Sequence, residues 1–502
     1  MTRLGERFSS ALSLYSTSGF NSDSHLLKFH SDDYKKALKL GGYPGGLAND
    51  GNTCFMNSVL ESLASSHEIV DFLTQFTDNS DDNESQKSGF FRKKQLKAPF
   101  SDALLELLNK LNGRHGRRTH TYKTKRLLSS MKDGPTKSMF LGYNQEDAQE
   151  FYQSLMRQVE KEFKKKRSQS QMPRESFEDK AAGMTMGLED LGCLGKVYVP
   201  AVQVDPDVAG VESKVYPLKF VTPVDGLICE RIGCTNCGET GGIRYTVTSG
   251  LGLTLPYNSD TAYRLEDLMD DWKKPETIDG VECNRCGLKN MKSGLEQKLA
   301  EFRQSTDSTA GRLVELTEKR ISEIDETLSK PIINDDDYNW LHTKNMEKKS
   351  TKIKQAYYSR PPAVLCIHVN RSVFDPRTYT VRKNNAKLIF PIHLNITDYV
   401  ATPDDINMDA RMPFRKRDTP SEEEDGGKEA ENSSAHDPRL EYTLKSVISH
   451  FGTHNYGHYI AFRRCRQMWW RISDEIVRLS SEKEVLASQG TFMLFYELTS
   501  RS

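Results

Sequence analysis

Residues 46–63, Gly-Leu-Ala-Asn-Asp-Gly-Asn-Thr-Cys-Phe-Met-Asn-Ser-Val-Leu-Glu-Ser-Leu, set a cysteine where polar turn residues give way to a helical pattern. Met56, Val59, Leu60 and Leu63 recur at i, i+3, i+4 and i+7, which predicts a helix beginning at Thr53 or Cys54 with one apolar face docked on a core. Cys54 then sits at the positive end of the helix dipole, beside backbone N–H groups that the helix itself leaves unpaired. With a histidine in reach, a thiol there is expected to drop from a pKa of about 8.5 to roughly 3.5–7.5. A partner lies near the other end of the chain. Gly452-Thr453-His454-Asn455-Tyr456-Gly457-His458-Tyr459 leads into the strand-like Ile460-Ala461-Phe462, and Trp469-Trp470-Arg471-Ile472-Ser473-Asp474 follows. Cys54 and His458 can form a dyad only if the fold brings helix and sheet together across a cleft.

The chain of 502 residues carries 70 basic and 70 acidic side chains, so its overall charge gives no argument for nucleic acid or an anionic membrane as partner. Apolar residues at 36% suffice for a large core, while 28% charged residues point to long solvated insertions. The nine cysteines are an odd number, and the start, Met-Thr-Arg-Leu-Gly-Glu-Arg-Phe, lacks the apolar core of a secretory signal. A reducing, intracellular compartment facing the cytosol is expected. No run of about 18 uncharged apolar residues is present, so no membrane span is expected in this chain.

Along the chain, residues 1–43 read as a flexible leader and 77–97 as a surface loop. Asn144-Gln145-Glu146-Asp147 resembles a capping box, with Tyr152, Leu155, Met156 and Val159 at helical spacing behind it. Residues 160–180 and 306–328 are highly charged and read as insertions. Beyond Pro361 the texture turns to strands, around 364–369, 388–392, 442–448, 458–464 and 492–498, consistent with a half-barrel or open antiparallel sheet. Thr402–Arg439 reads as too polar to bury anything.

Cys234-Thr235-Asn236-Cys237-Gly238 and Cys283-Asn284-Arg285-Cys286-Gly287 are two Cys-x-x-Cys knuckles. Two residues between sulfurs let one tight turn present both thiolates to a tetrahedral ion, and the glycine after each would relieve that turn. Cys234, Cys237, Cys283 and Cys286 are therefore expected to hold one structural Zn2+. Metal-free thiol pairs or a disulfide are the alternative, the disulfide being disfavoured by a reducing compartment. A zinc ribbon could also serve nucleic acid, but residues 238–282 carry Glu266, Asp267, Asp270 and Asp271 and few basic side chains, which argues against a phosphate-binding face. Cys366 lies in an apolar run and is expected to be an inert buried thiol.

Taken in order, the Cys54 segment, Gln145-Glu146-Asp147-Ala148-Gln149-Glu150-Phe151, the two knuckles, His450-Phe451-Gly452, Gly457-His458-Tyr459 and Trp469 through Val477 resemble the ubiquitin-specific protease family over roughly residues 44–499. The resemblance implies an α+β, papain-like cysteine protease fold in that family's right-hand architecture. A helical thumb (about 44–190), zinc-ribbon fingers (about 222–300) and a β palm (about 355–499) would grip ubiquitin, with insertions at about 301–352 and 401–439. It implies a thiol-dependent deubiquitinase acting on ubiquitin and ubiquitinated proteins, with Cys54 as nucleophile, His458 as base and Asn49 as oxyanion donor. Asp147, Glu150 and Tyr459 would meet the ubiquitin tail. Ser473 stands where the family usually has Asp or Asn, with Asp474 beside it. A serine hydroxyl can accept the imidazole N–H but carries no charge. This substitution resembles the subgroup at the mitochondrial outer membrane and leaves that location open beside the cytoplasm. It also raises the competing reading, a catalytically weak or inactive ubiquitin-binding scaffold.

Overall fold

Strand β1 (Gly46–Leu47) and helix α1 (Cys54–Leu63) lie at the junction of a helical layer and a large sheet. The computed structural model describes residues 31–78, 98–131, 147–167, 176–257, 261–304, 309–341, 348–419, 436–453 and 456–499. All ten residues of α1 are buried. Its apolar stripe packs on α2 (Pro99–Leu111) and α3 (Ala148–Arg167) through Leu104, Leu108, Tyr152 and Leu155, and on the sheet through Ile448, Tyr459 and Met493. Each such side chain contributes about 1.5–3 kcal/mol on burial. The polar positions Asn57, Ser58, Glu61 and Ser62 are enclosed too, so α1 is covered on every side rather than docked by one face. Strand β2 (Thr121–Tyr122) runs parallel to β1.

Helix α3 carries the expected apolar face, with Tyr152, Leu155, Met156 and Val159 all buried. The capping-box residues 144–146 fall outside the described part. The helix continues through Arg167, so the segment from 160 is not an insertion at its start. Glu162 is buried there because its carboxylate accepts the N–H groups of Phe100 and Ser101 at the open N-terminus of α2.

The fingers form a four-stranded antiparallel sheet. Its strands are β3 (Gly226–Cys234), β4 (Thr240–Thr248), β6 (Glu276–Glu282) and β7 (Lys349–Arg360), in spatial order β6-β7-β3-β4; β5 (Leu251–Thr254) leaves it for the palm. A boundary at 352 would therefore cut one continuous strand, β7. The expected insertion is helical: α4 (Asn284–Gln304), α5 (Ala310–Leu328) and α6 (Asp335–Leu341) enclose a small core of Leu288, Met291, Ile324 and Tyr338.

The palm comprises β8 (Val364–Asn370), β9 (His393–Asn395), β10 (Glu441–Gly452), β11 (Gly457–Cys465), β12 (Met468–Ser473), β13 (Ile476–Ser480) and β14 (Thr491–Leu498). The order is β13-β12-β11-β10-β14-β8-β5, with β9 beside β10, and every pair is antiparallel except β8 with β5.

Two expectations about flexible segments are corrected. Residues 31–43 of the expected leader include a helix at Ser31–Lys39 that buries Ala37, and the Tyr43 ring lies 5.2 Å from that of Trp470. Residues 1–30 lie outside the described part. Residues 402–419 also bury side chains, with Pro403, Ile406 and Phe414 enclosed against the fingers. The buried Arg231 guanidinium fixes this segment by donating to the carbonyls of Asn407, Asp409 and Met412. The sparse apolar residues are spaced to meet one strand face, and composition averaged over the segment hides that. Residues 420–435 lie outside the described part. Among the described residues no helix is long and apolar enough to cross a membrane.

Candidate active site and metal centre

Cys54 is the first residue of α1, which packs against β11, the strand that carries His458 and Tyr459. Helix and sheet thus meet at the positions the sequence singles out. His458 Nε2 lies 2.8 Å from Ser473 Oγ, on the neighbouring strand β12. Asp474 Oδ2 is 3.9 Å from the same nitrogen. The Asp474 backbone has φ 53°, in the tight turn from β12 to β13, which brings its carboxylate back toward α1. Asn57 Nδ2 donates to Asp474 Oδ1 at 2.8 Å and Asn49 Nδ2 donates to Oδ2 at 3.0 Å. Asn49 Oδ1 accepts the Thr53 N–H, which ties the turn before α1 to the helix start. Gly46 is required by close approach: a β-carbon there would lie 2.7 Å from the Asp474 carbonyl oxygen.

The electrostatics differ from the simple thiolate expectation. Burial pushes the Cys54 thiol up to about 11, outweighing the Tyr459 N–H, and the nearby Asp474 charge raises it further. Burial also lowers the His458 imidazole from its ordinary value, although Asp474 opposes this. Both shifts favour the uncharged forms, thiol and neutral imidazole. Enclosure of α1 on all sides is the cause, through desolvation of the sulfur.

Asp147 and Glu150 open α3, both exposed, and Asp147 Oδ1 accepts the Gln149 N–H at 2.6 Å. Tyr459 is 5% exposed, its ring 4.4 Å from that of His450, and it shares a buried cluster with Ala148. It lines the junction between palm and α3 from within rather than from the surface. Cys366 is buried and its thiol pushed well up by desolvation, as expected of an inert residue.

The four knuckle cysteines converge, with all their sulfurs within 4.8 Å of one another. Cys234 and Cys286 sulfurs are 3.8 Å apart, and those of Cys237 and Cys283 are 3.5 Å apart. Tetrahedral coordination with bonds of about 2.3 Å separates sulfurs by about 3.8 Å, so the cluster fits a metal ion. Thiol hydrogen bonds, chiefly from Cys283, hold the Cys237 pKa down at about 5. Asn236 Nδ2 donates to Cys286 Sγ at 3.4 Å. The two glycines differ in role. Gly238 has φ +82° and relieves its turn, whereas Gly287 sits inside α4, where a β-carbon would come 2.6 Å from the Tyr338 hydroxyl. The second knuckle therefore opens a helix.

A family model described as ubiquitin carboxyl-terminal hydrolase matches residues 45–496. The chain belongs to this family. Ubiquitin carboxyl-terminal hydrolase 1 of Saccharomyces cerevisiae is 34% identical, over 93% of this chain and 80% of the relative. Ubiquitin carboxyl-terminal hydrolase 30 of Xenopus tropicalis is 23% identical, over 93% of this chain and 82% of the relative. A chain of the SAGA Ubp8/Sgf11/Sus1/Sgf73 DUB module bound to ubiquitin aldehyde superposes with a TM-score of 0.51 at 18% identity, covering 94% of this chain and 74% of that one. As a member of the ubiquitin carboxyl-terminal hydrolases, the chain is a thiol-dependent deubiquitinase with that family's α+β fold.

Sequence reasoning missed three residues that this ubiquitin hydrolase places around its dyad: Asn57, Glu61 and Arg463. Glu61 and Arg463 join α1 to β11, with Nε and Oε2 3.0 Å apart. Polar residues at 57 and 61 within an apolar helix were the available signal, but their partners lie on distant strands.

Proposed function

We propose that Cys54, His458, Ser473, Asn49 and Asp474 carry the hydrolysis, with Cys54 as nucleophile. The supporting observation is that α1, which begins at Cys54, packs on β11, where His458 has its Nε2 2.8 Å from Ser473 Oγ. In that arrangement Nε2–H donates to Ser473 Oγ and Nδ1 is left to take the thiol proton. The thiolate attacks the carbonyl carbon of ubiquitin's terminal glycine. Asn49 has one amide hydrogen engaged by Asp474 and a second available for the oxyanion, and the Cys54 backbone N–H is a further donor to it. The imidazolium then protonates the departing lysine amine, leaving a thioester. His458 next takes a proton from water, whose oxygen attacks the thioester and releases free ubiquitin and the thiol. The thiolate is needed only during attack, so a resting thiol is compatible with turnover.

Asp474 supplies a charge beside the imidazole that Ser473 lacks, and also holds Asn49 and Asn57. In the same proposal Asp147 and Glu150 receive the basic ubiquitin tail, while Tyr459 shapes the wall beneath it. The four-cysteine cluster holds one Zn2+, which supplies a cross-link between β3 and the start of α4. An intracellular, cytosol-facing site of action belongs to this reading, and imaging of the full chain tests it. Labelling with a ubiquitin bearing a C-terminal electrophile tests the chemistry: the adduct forms on Cys54 and is lost in Cys54→Ala.

A further inference from the structure

A chain with no net charge concentrates basic residues beside its nucleophile. Between Glu106 and Asp133 there is no acidic residue, while Arg114, Arg117, Arg118, Lys123, Lys125 and Arg126 fall within thirteen positions. All six are exposed. Among the described residues only Arg126 of the six has an ion-pair partner, Glu106.

The position of this stretch matters more than its charge. Its strand β2 is bonded to β1, with the Gly46 N–H donating to the His120 carbonyl and the Ala48 N–H to the Tyr122 carbonyl, each at 2.8 Å. The parallel register sets Lys123 alongside Ala48, one residue before Asn49. On the α3 side the entrance carries Asp147 and Glu150 instead. Two elements of opposite sign thus flank the start of α1, and a scissile bond lying across it would have its two halves in opposite fields.

We propose that the basic surface of residues 114–126 receives the leaving-group side of the substrate and selects conjugates whose modified lysine is flanked by acidic residues. The inference rests on the reading of Asp147 and Glu150 as the acceptors of the basic ubiquitin tail, which leaves the β2 side for the protein that departs. The partner is an acidic polypeptide segment rather than a lipid surface, because the charges adjoin the oxyanion segment instead of an apolar face that could enter a bilayer.

The test uses the full chain and ubiquitin joined by an isopeptide bond to two peptides, one with aspartates flanking the lysine and one with serines. At low salt the acidic peptide is expected to have about tenfold higher kcat/KM, expressed in KM and diminishing as salt is raised. The variant Arg117→Glu/Arg118→Glu/Lys125→Glu should abolish or invert that preference, while hydrolysis of a ubiquitin C-terminal fluorophore, which has no flanking peptide, is unchanged. Equal kcat/KM for the two peptides, or a preference that survives in the triple variant, overturns the proposal. Equal peptide rates with charge-dependent binding to phosphatidylserine vesicles would assign the surface to lipid and overturn it too. Failure to cleave the fluorophore would instead count against the hydrolytic reading itself.

Discussion

Arg463 Nε lies 3.0 Å from Glu61 Oε2, and both side chains are sealed from solvent. One residue is on the helix that begins with Cys54, the other on the strand that carries His458, so this pair ties that helix to that strand. Arg463 also donates to Asn112 Oδ1 and the Leu111 carbonyl, which brings in the end of α2. Above pH 7, where Glu61 is ionised, removing Arg463 leaves that charge in the core, which typically costs about 3–5 kcal/mol. Arg463→Met is expected to lower stability on that scale and to reduce kcat more than KM, measured by urea unfolding and steady-state kinetics.

The same pair gives a pH dependence. Burial raises the Glu61 carboxyl to about 7 against the opposing pull of Arg463. Between its ordinary value and 7 the folded state therefore holds a proton that the unfolded chain releases. The contribution is fully present below the unfolded pKa and declines as pH rises toward 7. Glu61→Gln should remove this decline, so the difference in unfolding free energy between wild type and variant will change between pH 4.5 and pH 7.5. A difference independent of pH would exclude a protonated Glu61.

The dyad itself should titrate as a neutral pair. With Cys54 near 11 and His458 below its ordinary value, alkylation by iodoacetamide is expected to be slow at pH 7 and to rise about tenfold per unit toward alkaline pH. kcat/KM for ubiquitin substrates should instead fall only on the acid side, where His458 gains its proton. Rapid, pH-independent alkylation above pH 6 would show a preformed thiolate.

Ser473→Ala is expected to lower kcat by about tenfold or more with little change in KM, because it frees the imidazole without touching the ubiquitin surface. Asp474→Asn should cost more, since Asn49 and Asn57 both depend on its carboxylate. An unchanged kcat in Ser473→Ala would move the orienting role to Asp474.

For the metal, elemental analysis should find one zinc per chain. Removal by chelation, or Cys234→Ser, should loosen β3 from α4, detected as faster hydrogen exchange in the fingers and in α5 and α6. Arg285, between two ligands, donates to the Leu328 and Lys330 carbonyls at the end of α5, so the helical insertion should loosen with the knuckle. A metal-free chain with unchanged exchange would remove the site.

Local patterns foretold the elements that stand on their own periodicity. Met56, Val59, Leu60 and Leu63 marked α1, and the strand carrying His458 was readable from its β-rich texture, whereas the Met468–Ser473 strand that carries Ser473 was not among those expected. The convergence of the four knuckle cysteines was legible from spacing alone. What could not be read was enclosure. Nothing near Cys54 in sequence says that Arg463 and Asp474 cover the polar side of α1, or that burial raises the Cys54 thiol where the helix start suggested a thiolate. The buried residues of 402–419 were missed for a related reason. Ile406 and Phe414 are too few to lift the average hydropathy, yet Arg231 holds the segment through carbonyls that every residue possesses.

The central claim is that the sulfur of Cys54, activated by the imidazole of His458, attacks the ubiquitin C-terminus. Reaction of the full chain with a ubiquitin C-terminal electrophile, followed by peptide mass analysis, tests it most directly. The expected result is a single adduct on Cys54, absent in Cys54→Ala and strongly slowed in His458→Ala. An adduct on another of the nine cysteines, or one that persists in Cys54→Ala, would contradict it.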